Sequence, residues 1–360
     1  LRPNTMTNAP ESKSGASPRK LLGLTLDELR EVAAGNGLKP FAAKQMARWL
    51  YEKRVTGIDA MTDLSKEARS RMIAAGWIVG REEAVAEARS ADGTAKYLFP
   101  GAGGRDIEAV VIPDRERATI CVSSQAGCRM NCAFCMTGRQ GFHGNLDAGA
   151  IINQILSVPE SGELTNVVFM GMGEPTDNAD AVLAAIEILT APWGMAWSPR
   201  RITLSTIGNI NVLRRFLDST QVHIAISVHT PFHTDRREIM PVENAWPVSQ
   251  VMALLRDYDF AHQRRLSVEY TVWRGVNDDI RHADALARLL RGSSARVNLI
   301  RFHRIPGFDR SPADARTMEA FRDRLNELGV TATIRASRGE DIQAACGMLA
   351  GKQKENTENK

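Results

Sequence analysis

The chain has 360 residues, 43% of them hydrophobic, enough for one large domain and a smaller one around buried cores. It contains no run of eighteen apolar residues, which excludes a membrane-spanning helix. Its 46 basic and 42 acidic residues leave a net charge of +4, too small an excess for charge alone to establish a nucleic-acid partner.

In chain order, residues 1–18 are polar, with Pro3, Pro10 and Pro18 among Ser, Asn and Lys, and carry no secretory leader. They read as a disordered extension, with Met6 a candidate start. Residues 19–82 read as a small helical domain. Thr25 is a cap with Glu28 as its capping-box partner. Ala42, Met46, Trp49 and Leu50 form an apolar stripe at helical spacing. Residues 39–54 hold Lys39, Lys44, Arg48, Lys53 and Arg54 against Glu52 alone, a basic face suited to RNA docking or simply to solvent. Residues 83–113 switch to period two and read as a β linker, with strands at Lys96–Phe99 and Ile107–Ile112.

Residues 114–345 alternate short apolar strands with amphipathic helices. Strands are expected at Ala118–Ser123, Asn166–Met170, Ile202–Ser205, Val222–Ser227, Leu266–Thr271, Arg296–Ile300 and Thr331–Ile334. Helices are expected at Ala148–Leu156, Ala179–Leu189, Val212–Leu217, Val248–Tyr258, His282–Leu290 and Thr317–Leu328. Such alternation predicts an α/β fold, an open (β/α)6 partial barrel with its chemistry at the C-terminal strand ends. Residues 346–360 read as the start of a short helix and a loose tail. Four Arg-Arg pairs, at Arg200, Arg214, Arg236 and Arg264 with the arginines that follow them, fit either phosphate contacts or solvated helix ends.

Five cysteines, an odd number with no secretory leader, argue against a disulfide scaffold and for cytosolic metal or redox chemistry. Cys128, Cys132 and Cys135 stand at C-x3-C-x2-C spacing. Thiolates are the usual ligands of iron–sulfur clusters, and three of them leave one iron of a [4Fe–4S] cubane without a protein ligand. The motif resembles that of radical S-adenosylmethionine (SAM) enzymes, whose open iron binds SAM. A structural zinc site with Cys121 or a His as fourth ligand is the competing reading.

The expected strand ending at Met170 runs into Gly171-Met172-Gly173-Glu174-Pro175, which resembles the motif by which radical SAM enzymes hold the methionine amino group. Ser205, and Ser227-Val228-His229, stand at two further strand ends, placed either for SAM or for local turn hydrogen bonds. Cys346, in a loop with Gly339 and Gly347, is a candidate reactive thiol. Glu108 sits inside an apolar strand; alternation alone turns it to solvent.

Together these segments resemble the RlmN family, dual-specificity adenine-C2 methyltransferases of 23S ribosomal RNA and transfer RNA. The resemblance covers nearly everything from Leu21 to Gly351, including Phe41–Tyr51, Cys121–Cys128, Asn166–Pro175, Arg201–Ser205 and Asp341–Gly347. It implies a cluster on Cys128, Cys132 and Cys135, and SAM on Gly173, Glu174, Ser205 and Ser227 to His229. It makes Cys346 the S-methylated cysteine, Cys121 its resolving partner, and Glu108 the proton acceptor. His303 departs from the family, where many relatives place an Asn that contacts SAM; imidazole can also donate or accept, so His303 is expected to contact SAM as well. The family further implies rRNA and tRNA as partners, an electron donor such as flavodoxin, a monomer, and a cytoplasmic location.

The chemistry explains the set. C2 of adenine has no lone pair to attack a sulfonium methyl, so polar transfer fails. A thiolate can accept the methyl first, and a radical made from a second SAM can then activate it. The same machinery acting at adenine C8, a radical SAM enzyme acting on a protein, and a non-catalytic zinc-stabilised RNA-binding protein are the alternatives.

Overall fold

The structure, a computed structural model, describes residues 18–262 and 264–351; the expected N-terminal extension up to residue 17 and the tail from residue 352 lie outside the described residues. Helix α1 (Leu26–Gly35) starts where the sequence places its cap: Thr25 Oγ1 accepts from the Glu28 amide, and the Glu28 carboxylate accepts from the Thr25 amide at 2.7 Å. Helix α2 (Ala42–Ala47) passes into one π-turn at Arg48–Glu52, and the stripe buries Ala42, Met46 and Leu50. Helix α3 (Lys66–Ala74) is capped by Ser65. Two short strands, β1 (Arg19–Lys20) and β2 (Trp77–Ile78), pair in parallel and bring the ends of this unit together.

Three strands follow in antiparallel order: β3 (Ala86–Arg89), β4 (Ala95–Pro100) and β5 (Asp106–Asp114). Strand β5 pairs with β6 (Arg117–Cys121), and from β6 onward the sheet is parallel. A separate hairpin, β7 (Gln125–Gly127) with β8 (Phe142–Asn145), brackets the cysteine loop and a short helix α4 (Met136–Arg139). The parallel run continues through β9 (Asn166–Phe169), β10 (Ile202–Thr206), β11 (His223–Ser227), β12 (Leu266–Val272), β13 (Arg296–Arg301) and β14 (Ala332–Ile334). The crossovers are α5 (Ala148–Leu156), α6 (Ala179–Thr190), α7 (Ile210–Ser219), α8 (His233–Ile239) with α9 (Val248–Arg256), α10 (Ile280–Leu290) and α11 (Ala315–Glu327). Six strand–helix units and a seventh strand thus form the open α/β architecture expected from the alternation. The sheet does not close on itself: β14 is one edge and β3 the other.

Two boundaries differ from the sequence reading. The linker strands are no separate bridge, because β3 to β5 extend the catalytic sheet itself. Residues 346–351 form turns and no helix. Their backbone groups bond outward instead, Gly347 O to Met136 N at 2.8 Å and Leu349 O to Thr137 Oγ1 at 2.6 Å.

The N-terminal unit is fastened to α5. A Cβ on Gly23 would stand 2.1 Å from the backbone of Gly149, so only glycine permits this approach. Arg54 donates to Ser161 O at 3.1 Å and Oγ at 2.9 Å on the core side. Among the described residues no helix is long and apolar enough to cross a membrane.

Candidate active site

The C-terminal ends of the parallel strands open onto one cleft. Its wall holds Cys128, Cys132 and Cys135 on one side and Gly173, Glu174, Ser205, Ser227 and His229 along the strand ends. Cys346 reaches the same cleft from the far end of the chain.

The cysteine loop is held open by backbone bonds: Cys128 N to Gly141 O at 2.9 Å, Ala133 N to Ile239 O at 2.9 Å, and Cys135 N to Cys132 O at 3.1 Å. Burial pushes the Cys128 thiol up to about 12 and the Cys132 thiol well above its ordinary value. Bare, these two thiols stay protonated, and binding to iron is what would ionise them. Among the described residues no three His, Cys, Asp or Glu converge as a single-ion site requires. Three thiols of one loop lining one cleft are the donor set an iron–sulfur cluster takes.

Glu174 is buried at 4% exposure. Its Oε1 accepts from Thr176 N at 3.1 Å, Thr176 Oγ1 at 2.6 Å and Thr206 Oγ1 at 2.6 Å; its Oε2 accepts only from Ile207 N, at 3.1 Å. Burial raises its pKa, against these donors. A carboxylate has about four acceptor sites, so Oε2 keeps one free, and among the described residues no cation pairs with it. That is a fit for an ammonium group. Gly173 has φ +96°, and a Cβ there would stand 2.5 Å from the Gln125 side chain. Glycine is thus required by Gln125, whose Oε1 accepts from Glu174 N at 2.9 Å, as well as by any ligand.

His229 has φ +59° and is buried; its Nδ1 accepts from Thr271 N at 3.0 Å, which leaves the ring proton on Nε2. Burial, with Arg236 adding to it, lowers its pKa to about 3, so the ring is neutral. Val228, expected to contact SAM, is fully buried and not part of the cleft wall: its N–H donates to Glu269 O and its carbonyl accepts from Arg236 Nε. His303 is not part of the cleft wall. Its ring bonds Ser337 Oγ at 3.1 Å and stands 3.2 Å from Glu340 Oε1, on the segment that leads to Cys346.

Cys121 ends β6, between Val110 on β5 and Val168 on β9. Burial pushes its thiol up to about 12, and the nearby Cys346 pushes it the same way. Both thiols are free. Cys346 is exposed, but onto the cleft, where surrounding chain still raises its thiol, opposed first by Arg335. Glu108 does not face solvent as alternation alone would place it. It is 5% exposed, with Lys96 Nζ at 3.2 Å from Oε1 and Ala350 N donating to Oε2 at 3.1 Å.

Two features escaped the sequence. Glu269 lines the cleft at 4% exposure, bonded by Asn298 Nδ2 at 2.8 Å and Ser267 Oγ at 3.1 Å, with Arg335 Nη1 at 3.6 Å. Only its place inside β12 could have signalled it. Arg236, read in sequence as one of four exposed pairs, is fully buried and ion-paired with Glu243. It grips Ser227 O at 2.8 Å, Val228 O at 3.1 Å and Ile207 O at 3.5 Å, joining the ends of β10 and β11.

The family model described as the radical SAM superfamily matches residues 122–287. The one described as the ribosomal RNA large subunit methyltransferase N-terminal domain matches residues 19–78. A protein of Parabacteroides distasonis named "Probable dual-specificity RNA methyltransferase RlmN" is 54% identical over 332 residues, 92% of this chain and 96% of its own. The "Dual-specificity RNA methyltransferase RlmN" of Halorhodospira halophila is 41% identical over 347 residues, 95% of each. The crystal structure of a radical SAM methyltransferase from Sphaerobacter thermophilus superposes with a TM-score of 0.85 at 37% identity, covering 92% of this chain and 99% of that one.

Proposed function

Given that this chain belongs to the RlmN family, and so is a radical SAM RNA methyltransferase, we propose that it methylates C2 of an adenosine in 23S rRNA, at the peptidyltransferase centre, and of the adenosine 3′ to the anticodon in tRNAs. The observation that carries this reading is one cleft shared by Cys128, Cys132, Cys135, Glu174 and Cys346, with Cys121 beside it.

Held by Cys128, Cys132 and Cys135, a [4Fe–4S] cluster would supply the electron that splits SAM into methionine and a 5′-deoxyadenosyl radical. The free lone pair of Glu174 Oε2 takes the SAM ammonium. Ser205, Ser227 and the Nε2–H of His229 face the same ligand. Cys346 first takes a methyl from one SAM by displacement: its S–C bond forms, the sulfonium bond breaks, and the thiol proton leaves. The 5′-deoxyadenosyl radical takes a hydrogen atom from that S-methyl, and the resulting carbon radical adds to C2 and ties the RNA to Cys346; the adduct gives up one electron, which the oxidised cluster would take back. Glu108 accepts the C2 proton. Cys121 then attacks the Cys346 sulfur: the S–S bond forms, the S–CH2 bond breaks with its electron pair on carbon, that carbon takes the proton given up by the Cys121 thiol to become the methyl of the freed base, and external thiols reset the pair by reducing the disulfide.

The Glu108 carboxylate is covered here by the segment ending at Ala350, so that step follows release of the segment. His303 belongs to the same movement and acts on the segment through Ser337 and Glu340. Anaerobic reconstitution followed by mapping of the methyl group on isolated RNA tests the reading. About four irons per chain and methyl at adenine C2 support it; methyl at C8, or bound zinc without sulfide, overturns it.

A further inference from the structure

Two of the four arginine pairs that the sequence displays meet in space. Arg200 precedes β10, His223 opens β11, Arg264 and Arg265 precede β12, and Arg296 opens β13. These are the N-terminal ends of the parallel strands, opposite the cleft. Strands of five to seven residues set the two ends roughly 15–20 Å apart. There the side chains line a second pocket.

Its arginines lack direct ion-pair partners: among the described residues, none of Arg200, Arg264, Arg265 and Arg296 forms an ion pair with a carboxylate. Asp218 and Asp259 act on Arg264 only through space, and their hydrogen bonds go elsewhere: Asp259 accepts from His262 at 2.8 Å and Asp218 from Tyr258 Oη at 2.7 Å. Arg264 is 5% exposed and built in. Its Nη2 donates to Leu217 O and Thr220 O, each at 2.8 Å, while Nη1 has no partner. An orphaned buried guanidinium nitrogen costs free energy unless something accepts from it. His223 Nδ1 accepts from Arg265 N at 2.8 Å, so its other ring nitrogen carries the proton. Burial, then Arg265 and Arg200, lowers the pKa of that ring, as a crowd of like charge should. A rigid donor in a concave pocket with several planar forks matches phosphate oxygens better than any neutral ligand.

We propose that this pocket binds a phosphate group remote from the reacting base, supplied in use by the backbone of the RNA substrate. A contact at this end carries no base information and sets how far the RNA wraps the barrel. The RNA source rests on the function proposed above; the phosphate chemistry does not.

Arg265 and Arg296 are exposed, so Arg265→Gln with Arg296→Gln leaves the fold intact. Arg322→Gln, on α11, is the control. Binding of a tRNA transcript should weaken about tenfold near 0.1 M salt, and the log–log salt slope should lose about one to two units. Thermal unfolding should be delayed by inorganic phosphate in the parent and not in the double variant. Loss of both effects fixes RNA as the source. Loss of phosphate protection with unchanged RNA binding fixes free phosphate or a nucleotide as the source, and the pocket stands. Unchanged RNA binding and salt slope, with no phosphate protection in the parent, overturn the proposal. Methylation by the parent protein reports separately on the function itself.

Discussion

Glu108 Oε2 accepts a hydrogen bond from the Ala350 amide at 3.1 Å, four residues beyond Cys346. The proposed proton acceptor therefore also fastens the segment that carries the proposed methyl carrier. Replacing Glu108 by Gln keeps an acceptor for Ala350 but removes the base. Turnover should fall by about 10²-fold or more while S-methylation of Cys346 persists, as peptide mass spectrometry would show. Undiminished RNA methylation by Glu108→Gln would remove Glu108 from the chemistry.

Glu174→Gln places an amide where four donors converge on a carboxylate. At least one donor then meets an NH2, and the charge facing the ammonium is gone. Loss of a charged hydrogen bond is worth about 1.5–3 kcal/mol, so SAM affinity should drop roughly tenfold to a hundredfold. Equilibrium binding of SAM checks this, and an unchanged Kd contradicts it.

The Cys346 segment is latched to the β3–β4 turn. Asp92 Oδ2 accepts from Gly339 N at 3.0 Å, and Asp341 accepts from Ser90 Oγ at 2.6 Å. Burial raises the Asp92 pKa, but donors from Thr94 and Gly339 outweigh it and hold the value at about 2. Because the folded value lies below the unfolded one of 3.8, the latch is fully present above about pH 4 and is lost as pH falls through about 2. Asp92→Ala should expose residues 337–351 at neutral pH, read as several-fold faster amide exchange at Gly339. Exchange equal to that of the parent would show that Asp92 does not hold the segment.

Arg236 and Glu243 form a fully buried pair that also satisfies three carbonyls. Arg236→Met strands a buried carboxylate and should cost about 3–5 kcal/mol. Arg236→Met with Glu243→Leu should recover part of that loss. Equal unfolding midpoints for the two variants would contradict the pairing argument.

The strand–helix alternation was legible because parallel strands buried on both faces read as short apolar runs and their crossovers as amphipathic helices. Ala148–Leu156 matches to the residue. The hairpin of β7 and β8 was not legible, since Gln125–Gly127 and Phe142–Asn145 are short and show no period-two apolar pattern. The two inward-facing charges failed for a related reason. Arg236 looks like a surface cation and Glu269 like a strand's solvent face until tertiary partners are seen. Glu108 was misplaced by alternation because the face of β5 that carries it is covered by the segment that follows Cys346. The cysteine spacing survives in the fold because it is local; the meeting of Cys121 and Cys346 is set by topology across 225 residues (346 minus 121) and became an expectation only through family resemblance.

The central claim is that carbon travels to RNA on the Cys346 sulfur and is released by Cys121. Reconstituted Cys121→Ala protein, incubated without oxygen with SAM, a strong reductant and tRNA, should accumulate a covalent protein–RNA species on a denaturing gel. Mass spectrometry should place the link at Cys346 through one added carbon. Methylated RNA released by this variant as fast as by the parent, with no crosslinked species, would contradict the account.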